Sequence, residues 1–511
     1  FLINLISFIR LSDTNEYPYG YIKIYCNKKC GFKEDYMNQT KENIDFITNE
    51  DHLEMRFKKI DPNYSIIFKD IISERLEIIS IDISNFKTSS ITTMSNMFSY
   101  LGNLKSVNLD HNLSTITDMS NMFIHIMGLE SIDLSHLDAS SVITMESMFQ
   151  YCSKLKSIDL SYLNAPLVTN VANMMMNDDL ISVNLSHSNL SSLTNMHGMI
   201  QSYSIKSIDL SYLNAPLVTN MEKMFDGCQF LFFNLSHSNL SSVTSMAKMF
   251  LSSTQIQSID LSYSDLSSVT NMEEMCWACN HLSSINFQNS NLSSLTNMKC
   301  MLQYCEALTS IDLSYLNGSA VTNMEKTFYR CSKLLSVNLA HFNLSSIINM
   351  ASMFENCWDL ELIDLSYLDA SSVKNMESMF KSCYNLSSIN FQNSKLSSVT
   401  NMKSMFENCW ALESIDLSYL DGSSVNNMEN MFMNCKKFKS VNFHNSNLSS
   451  LTNIKNIFKD CNILQSIDFS YLDASSLINL KDMFENCDNL YSINFQNSNL
   501  SSVTNMTSMF E

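Results

Sequence analysis

From about residue 76 onward the chain alternates two textures. In Leu282-Ser-Ser-Ile285-Asn-Phe287, apolar residues fall at alternate positions, so Ile285 and Phe287 share one face of a short strand while Ser284, Asn286 and Gln288 take the other. A second texture follows. In Asn401-Met402-Lys403-Ser404-Met405-Phe406-Glu407-Asn408-Cys409 the apolar residues sit at i, i+3, i+4 and i+7, which predicts a two-turn helix with one buried stripe. The residue before the first Met is Asn at 195, 220, 271, 297, 323, 349, 375, 401 and 427, and otherwise Thr93, Asp118, Thr144 or Ser245. All four types accept from the first N–H groups of a helix, so the position reads as an N-cap.

The two textures recur. The tetrad Ser-(Ile/Val)-(Asp/Asn)-(Leu/Phe) has its second residue at Ile81, Val107, Ile132, Ile158, Val183, Ile208, Phe233, Ile259, Ile285, Ile311, Val337, Ile363, Ile389, Ile415, Val441, Ile467 and Ile493. These are 17 copies at intervals of 25 or 26 residues, and from Phe233 onward the interval is always 26. A longer period spans two repeats. The third place alternates through Asp260, Asn286, Asp312, Asn338, Asp364, Asn390, Asp416, Asn442 and Asp468, and KSIDLSYLNAPLVTN appears identically at 156–170 and 206–220.

A single unit cannot bury its apolar edge, but stacked units can. The expected fold is α/β: a leucine-rich-repeat solenoid of about 17 repeats, each with a short parallel strand and a short helix, over residues 71–511. Residues 1–70 lack the repeat and read as an N-terminal cap. The segment 1–11 reads as a strand or as the tail of a signal peptide's apolar stretch. The last repeat stops midway at Glu511, so the solenoid reads as C-terminally truncated.

The unit C-x-x-L-x-S-I-D-L-S-x-L-D-x-S-S-V-x-N-M-x-x-M-F, best seen in Cys357–Phe380 and Cys409–Phe432, resembles the repeats of the BspA-like leucine-rich-repeat surface proteins of bacteria and protists. The resemblance covers about residues 76–511. It implies a secreted or surface-displayed adhesion protein and brings no catalytic residues. The alternating Asn-type repeat and the first 70 residues depart from the family's pattern.

Composition narrows the picture. Of 511 residues only 8 are Gly and 4 Pro, so flexible linkers are not expected; 35 Met and 30 Phe supply a core. A formal net charge of −19 argues against nucleic acid and against anionic membrane surfaces. No apolar run is long enough for a spanning helix, so membrane attachment would need an anchor outside this sequence.

Eleven of the 15 cysteines share one phase: Cys152, Cys228, Cys279, Cys305, Cys331, Cys357, Cys383, Cys409, Cys435, Cys461 and Cys487. A ladder does not converge its ligands, so no metal site is expected. With helices about 8–10 Å apart, neighbouring thiols would stand too far apart to bond, and they read as buried apolar filler. Leu101 and Asp178 at the same phase suggest that the thiol is dispensable. Cys26 and Cys30, outside the repeats, read as a cap disulfide, with free thiols and, more remotely, a two-Cys metal site as the alternatives. His187 and His237 share a phase but lack any neighbouring nucleophile pattern. No phosphate loop, paired-carboxylate motif or zinc signature is present, so neither a catalytic site nor a cofactor is expected.

The Asp/Asn column is the candidate binding face: Asn spaces the carboxylates apart and sets an amide donor beside each. Its alternatives are a satisfied polar ladder and, more remotely, calcium bridging. Sequons at Asn38, Asn112, Asn189, Asn239, Asn291, Asn343, Asn385, Asn447 and Asn499 are glycosylation candidates, most of them copies of one turn. The expected function is non-enzymatic recognition or adhesion at the cell surface or outside the cell, with a protein or glycan on another cell or host surface as partner. A structural coat or spacer, with self-association, and a cytoplasmic scaffold are the alternatives.

Overall fold

The computed structural model describes residues 17–26, 43–49, 51–59, 78–109, 113–134, 137–209, 215–340, 342–366, 369–392, 394–418, 420–444, 446–470 and 475–510. They fall into two units, residues 1–230 and 231–511.

The first unit opens with three strands that belong to no repeat. β1 (Tyr21–Cys26) lies antiparallel between β3 (Leu53–Phe57) and β4 (Ile78–Asp82), with β2 (Ile44–Thr48) beyond β3. β4 carries the first tetrad and pairs in parallel with β5 (Ser106–Asn108) of the next repeat. The antiparallel strands thus occupy the edge that a stack of repeats would leave bare. Ile22, Ile24, Leu53, Met55 and Phe57 line the inner side at 0–1% exposure. Further on, Ser157–Asp159, Ser182–Asn184 and Ser207–Asp209 form a parallel sheet with every tetrad residue beside its counterpart one repeat away.

In the second unit the strand Phe232–Asn234 joins Ser258–Asp260 and Ser284–Asn286. The remaining strands pair two by two: Ser310–Asp312 with Ser336–Asn338, Leu362–Asp364 with Ser388–Asn390, Ser414–Asp416 with Ser440–Asn442, and Ser466–Asp468 with Ser492–Asn494. The sequence reading expected one continuous sheet. Instead, among the described residues from Ser310 onward, an Asp-type strand bonds the Asn-type strand that follows it and the ladder lapses before the next Asp-type strand, whereas in the two three-stranded sheets an Asn-type strand also bonds the Asp-type strand after it. Over the repeats from Ser310 onward the two-repeat period of the sequence is also the period of the sheet.

The expected helix is absent from the repeats. Across Met402–Cys409 the backbone N–H groups alternate between two kinds of partner. Met402, Ser404, Phe406 and Asn408 donate to the next repeat, at Asn427, Glu429, Met431 and Met433, over 2.8–2.9 Å. Met405, Glu407 and Cys409 donate to their own turn, to Met402, Ser404 and Phe406, over 3.1–3.3 Å. Ser404 and Asn408 sit at φ 55° and 63°, in the left-handed region. A left-handed residue every fourth position turns the chain so that inward side chains recur at spacings of three, one and three, the spacing that also describes a helical stripe. The 3-10 turns Thr88–Ser90 and Gly318–Ala320 are the only helical segments among the described residues.

The N-cap reading is corrected with it. The Oδ1 of Asn401 does accept from the N–H two residues on, at Lys403 (3.1 Å), but the turn opens no helix. The Asn backbone instead forms one parallel bridge per repeat, unbroken from Ser245 through Asn271, Asn297, Asn323 and onward to Asn505.

Burial follows the sequence stripe although conformation does not. Met402, Met405, Phe406 and Cys409 are 0–2% exposed. Phe328, Phe354, Phe380, Phe406, Phe432, Phe458 and Phe484 stack face to face, with successive centroids 5.3–5.7 Å apart and planes within 7°. That spacing belongs to paired strands, not to packed helices.

Candidate functional site

Three columns of side chains repeat along the stack, and each is fixed by the backbone beneath it. The first is buried. Each ladder thiol donates to the carbonyl of the Phe or equivalent residue one repeat earlier: Cys409 to Phe380, Cys435 to Phe406 and Cys461 to Phe432, each at 3.1 Å. Burial pushes the Cys357, Cys409 and Cys461 thiols well above their ordinary range, and Cys152 and Cys487 up to about 12, which disarms them as nucleophiles.

The filler reading needs two corrections. Repeats one residue shorter place Asn177 and Ser202 in the slot, and their side chains donate to Leu155 O (3.1 Å) and Leu180 O (2.8 Å); Asp178 itself is exposed. The slot holds a small donor in most repeats, and buried Leu101 and Ile126 fill it in two others. The spacing argument against disulfides also fails, because the columns stand at strand spacing. The ladder thiols are nonetheless free, each engaged by a carbonyl. Cys26 is disulfide-bonded, and Cys30 lies outside the described residues.

The second column is the Asp/Asn face. Asp260 is half-exposed; Asn286, Asp312, Asn338, Asp364, Asn390, Asp416, Asn442 and Asp468 are exposed. In all nine, Oδ1 accepts the backbone N–H two residues on, over 2.8–3.0 Å, and so fixes the turn that ends the strand. Asn338 and Asn442 also donate Nδ2 to Asp312 and Asp416 Oδ1, each at 3.0 Å. Burial works to raise the Asp312 carboxyl, but hydrogen bonds from Ser314 and Asn338 outweigh it and hold the group below the usual range. At Asp468 the backbone and side chain of Ser470 do the same. Among the described residues, no group of His, Cys, Asp or Glu gathers as a metal site. No helix there is long and apolar enough to cross a membrane.

A third column, aromatic, was not singled out in the sequence; Tyr212, Tyr367, Tyr419 and Tyr471 of it lie outside the described residues. Three residues after the Asp of every Asp-type tetrad from Asp159 onward stands a Tyr: 162, 212, 263, 315, 367, 419 and 471. The Asn-type repeats carry His or Asn there. Tyr162, Tyr263 and Tyr315 are 73%, 49% and 48% exposed. Tyr162 stacks on His187, and Tyr263 on His237, each at 4.9 Å. The signal was the same period that exposed the Asp/Asn alternation. His187 and His237 thereby gain a role as supports for tyrosine rings.

Of the glycosylation candidates, Asn239, Asn291, Asn343, Asn447 and Asn499 are exposed, with Oδ1 accepting from the Ser two residues on at 3.0–3.3 Å. Asn189 is half-buried and donates Nδ2 to Asn164 Oδ1 at 3.1 Å. Asn385 is exposed in a return segment. Asn38 and Asn112 lie outside the described residues.

A family described as "Mycoplasma protein of unknown function, DUF285" matches residues 67–187, 103–211, 156–262, 194–311, 296–420 and 400–511, which together span 67–511. The chain belongs to the DUF285 family. Its repeats are of the leucine-rich type. No curated protein matches the sequence. Among solved structures the DUF285 chain is similar to a leucine-rich-repeat protein of Leptospira interrogans: 12% identity, 76% of this chain and 88% of that one, TM-score 0.26. It is similar also to a leucine-rich repeat protein from Eubacterium ventriosum: 15% identity, 73% and 82%, TM-score 0.33. A third is a chain of the Drosophila Toll–Spatzle complex: 14% identity, 82% and 55%, TM-score 0.20.

Proposed function

We propose that this DUF285 protein is a non-enzymatic recognition scaffold, displayed at the cell surface or secreted, that holds a protein or glycan partner against its Asp/Asn face. The observation that carries the reading is the rank of nine tetrad Asp and Asn residues, solvent-facing except for half-exposed Asp260 and each anchored to the backbone of its own turn. Such groups are ordered before a partner arrives, so little conformational entropy is lost on binding. The likeness of the repeat to BspA-like surface proteins supports the location. The sequons, if used, would point the same way.

The test replaces Asp364, Asp416 and Asp468 together by Asn in the full chain. Asn keeps the Oδ1 acceptor, so the turns remain while three negative charges go. Adhesion of protein-coated beads to intact cells should fall. Adhesion that survives the substitution would remove the Asp/Asn face from the account. Filaments or layers formed by the purified chain alone would favour a coat or spacer role.

A further inference from the structure

We propose that Tyr263 and Tyr315, with Asp260 and Asp312, form part of a track for an extended, uncharged β-1,4-linked polysaccharide lying along the repeats of the second unit. The inference rests on the surface-recognition reading and names its ligand class.

Three features lead there. The first is period. Tyr and Asp recur together on every second repeat, whereas the repeats between carry His or Asn, and Asn. At the spacing of the parallel Asn bridges that run unbroken through these repeats, two repeats amount to on the order of 10 Å. In an extended β-1,4 chain successive sugars are flipped, so the same ring face and the same hydroxyls return once per disaccharide, a length of that order. A bound peptide strand repeats every second residue, about 7 Å, and would fall out of step.

The second is chemistry. An aromatic ring offers a flat apolar face to the C–H face of a sugar, and a carboxylate beside it accepts sugar hydroxyls. Tyr263 and Tyr315 are about half exposed, and Asp260 and Asp312 precede them at the end of the same strands. One oxygen of each carboxylate, Oδ1, is held by Ser262 or Ser314 at 2.9 or 2.8 Å. His237 braces the Tyr263 ring with planes 4° apart.

The third is what the face lacks. The outward strand residue two before each Asp or Asn is Ser in most repeats, Phe232 and Leu362 excepted, so no row of Arg, Trp or aliphatic anchors stands beside the tyrosines. A polyanion would meet the carboxylates and a net charge of −19.

The test is calorimetric titration of the full chain with chitohexaose and with cellohexaose. Laminarihexaose, whose β-1,3 linkage changes the period, and the free monosaccharides serve as contrasts. At least one β-1,4 hexasaccharide should bind, the contrasts should bind far more weakly, and added salt should change little. Tyr263→Ala and Tyr315→Ala should each weaken binding about tenfold, and Tyr→Phe should restore it. Absence of binding by both β-1,4 hexasaccharides would overturn the proposal. So would equal binding of laminarihexaose, loss of binding in salt, or an unchanged affinity in the double Ala variant. Should the sugars fail while the triple Asp→Asn variant still loses cell adhesion, this inference falls and the recognition reading stands.

Discussion

Cys409 shows how far a single residue could be read. Its apolar phase marked it as buried, and it is 0% exposed. Its reason for being Cys lay in a carbonyl one repeat away, at Phe380, which no spacing argument reveals. The thiol ladder has a thermodynamic consequence. Burial raises Cys357, Cys383 and Cys409 above the ordinary value of 9.0, so these native thiols stay neutral while unfolded ones ionise. Stability from this source is complete below about pH 9 and is lost as pH climbs toward the folded values, about 12 at Cys152 and Cys487. We expect the denaturant midpoint to drop between about pH 9 and pH 11. Replacing Cys357, Cys383 and Cys409 by Ser, the residue found in the slot at Ser202, should flatten that drop. An alkaline slope indifferent to the three substitutions would contradict the assignment.

At the scale of the element, the strands were legible and the helices were not. Alternation places Ile285 and Phe287 inward and Asn286 outward, and the strand Ser284–Asn286 does so. The Met–Phe stripe fixes only which side chains face inward. A helix and a zigzag of turns can share that set, and the deciding feature is a left-handed residue at Ser378, Ser382, Ser404 and Asn408, where the side chains give no glycine signal. Ser378 at φ 54° separates the two directly. In a helix Val is tolerated better than Gly, by a few tenths of a kcal/mol. In the left-handed region a β-branched residue is an outlier and Gly is at ease. Ser378→Gly should therefore be the more stable of the pair, by about 1 kcal/mol or more in denaturant melts. The opposite order would restore the helix. The Tyr column was legible too, since it shares the period of the Asp/Asn alternation, but recognising Tyr162, Tyr263 and Tyr315 as exposed required the turn.

For the whole molecule, the period carried the fold: 26-residue units stack with their sulfur and aromatic side chains inward in both units. Repetition could not disclose that the strands from Ser310 onward pair two by two, because hydrogen bonding between neighbours depends on how each turn leaves the strand. The claim on which the rest stands is a stack built from parallel bridges and tight turns, with no helix in the repeat. Far-UV circular dichroism of the purified chain tests it most directly. The expected spectrum is that of strands and turns with almost no helical component. A helical signal sufficient for two turns in every repeat would contradict the account.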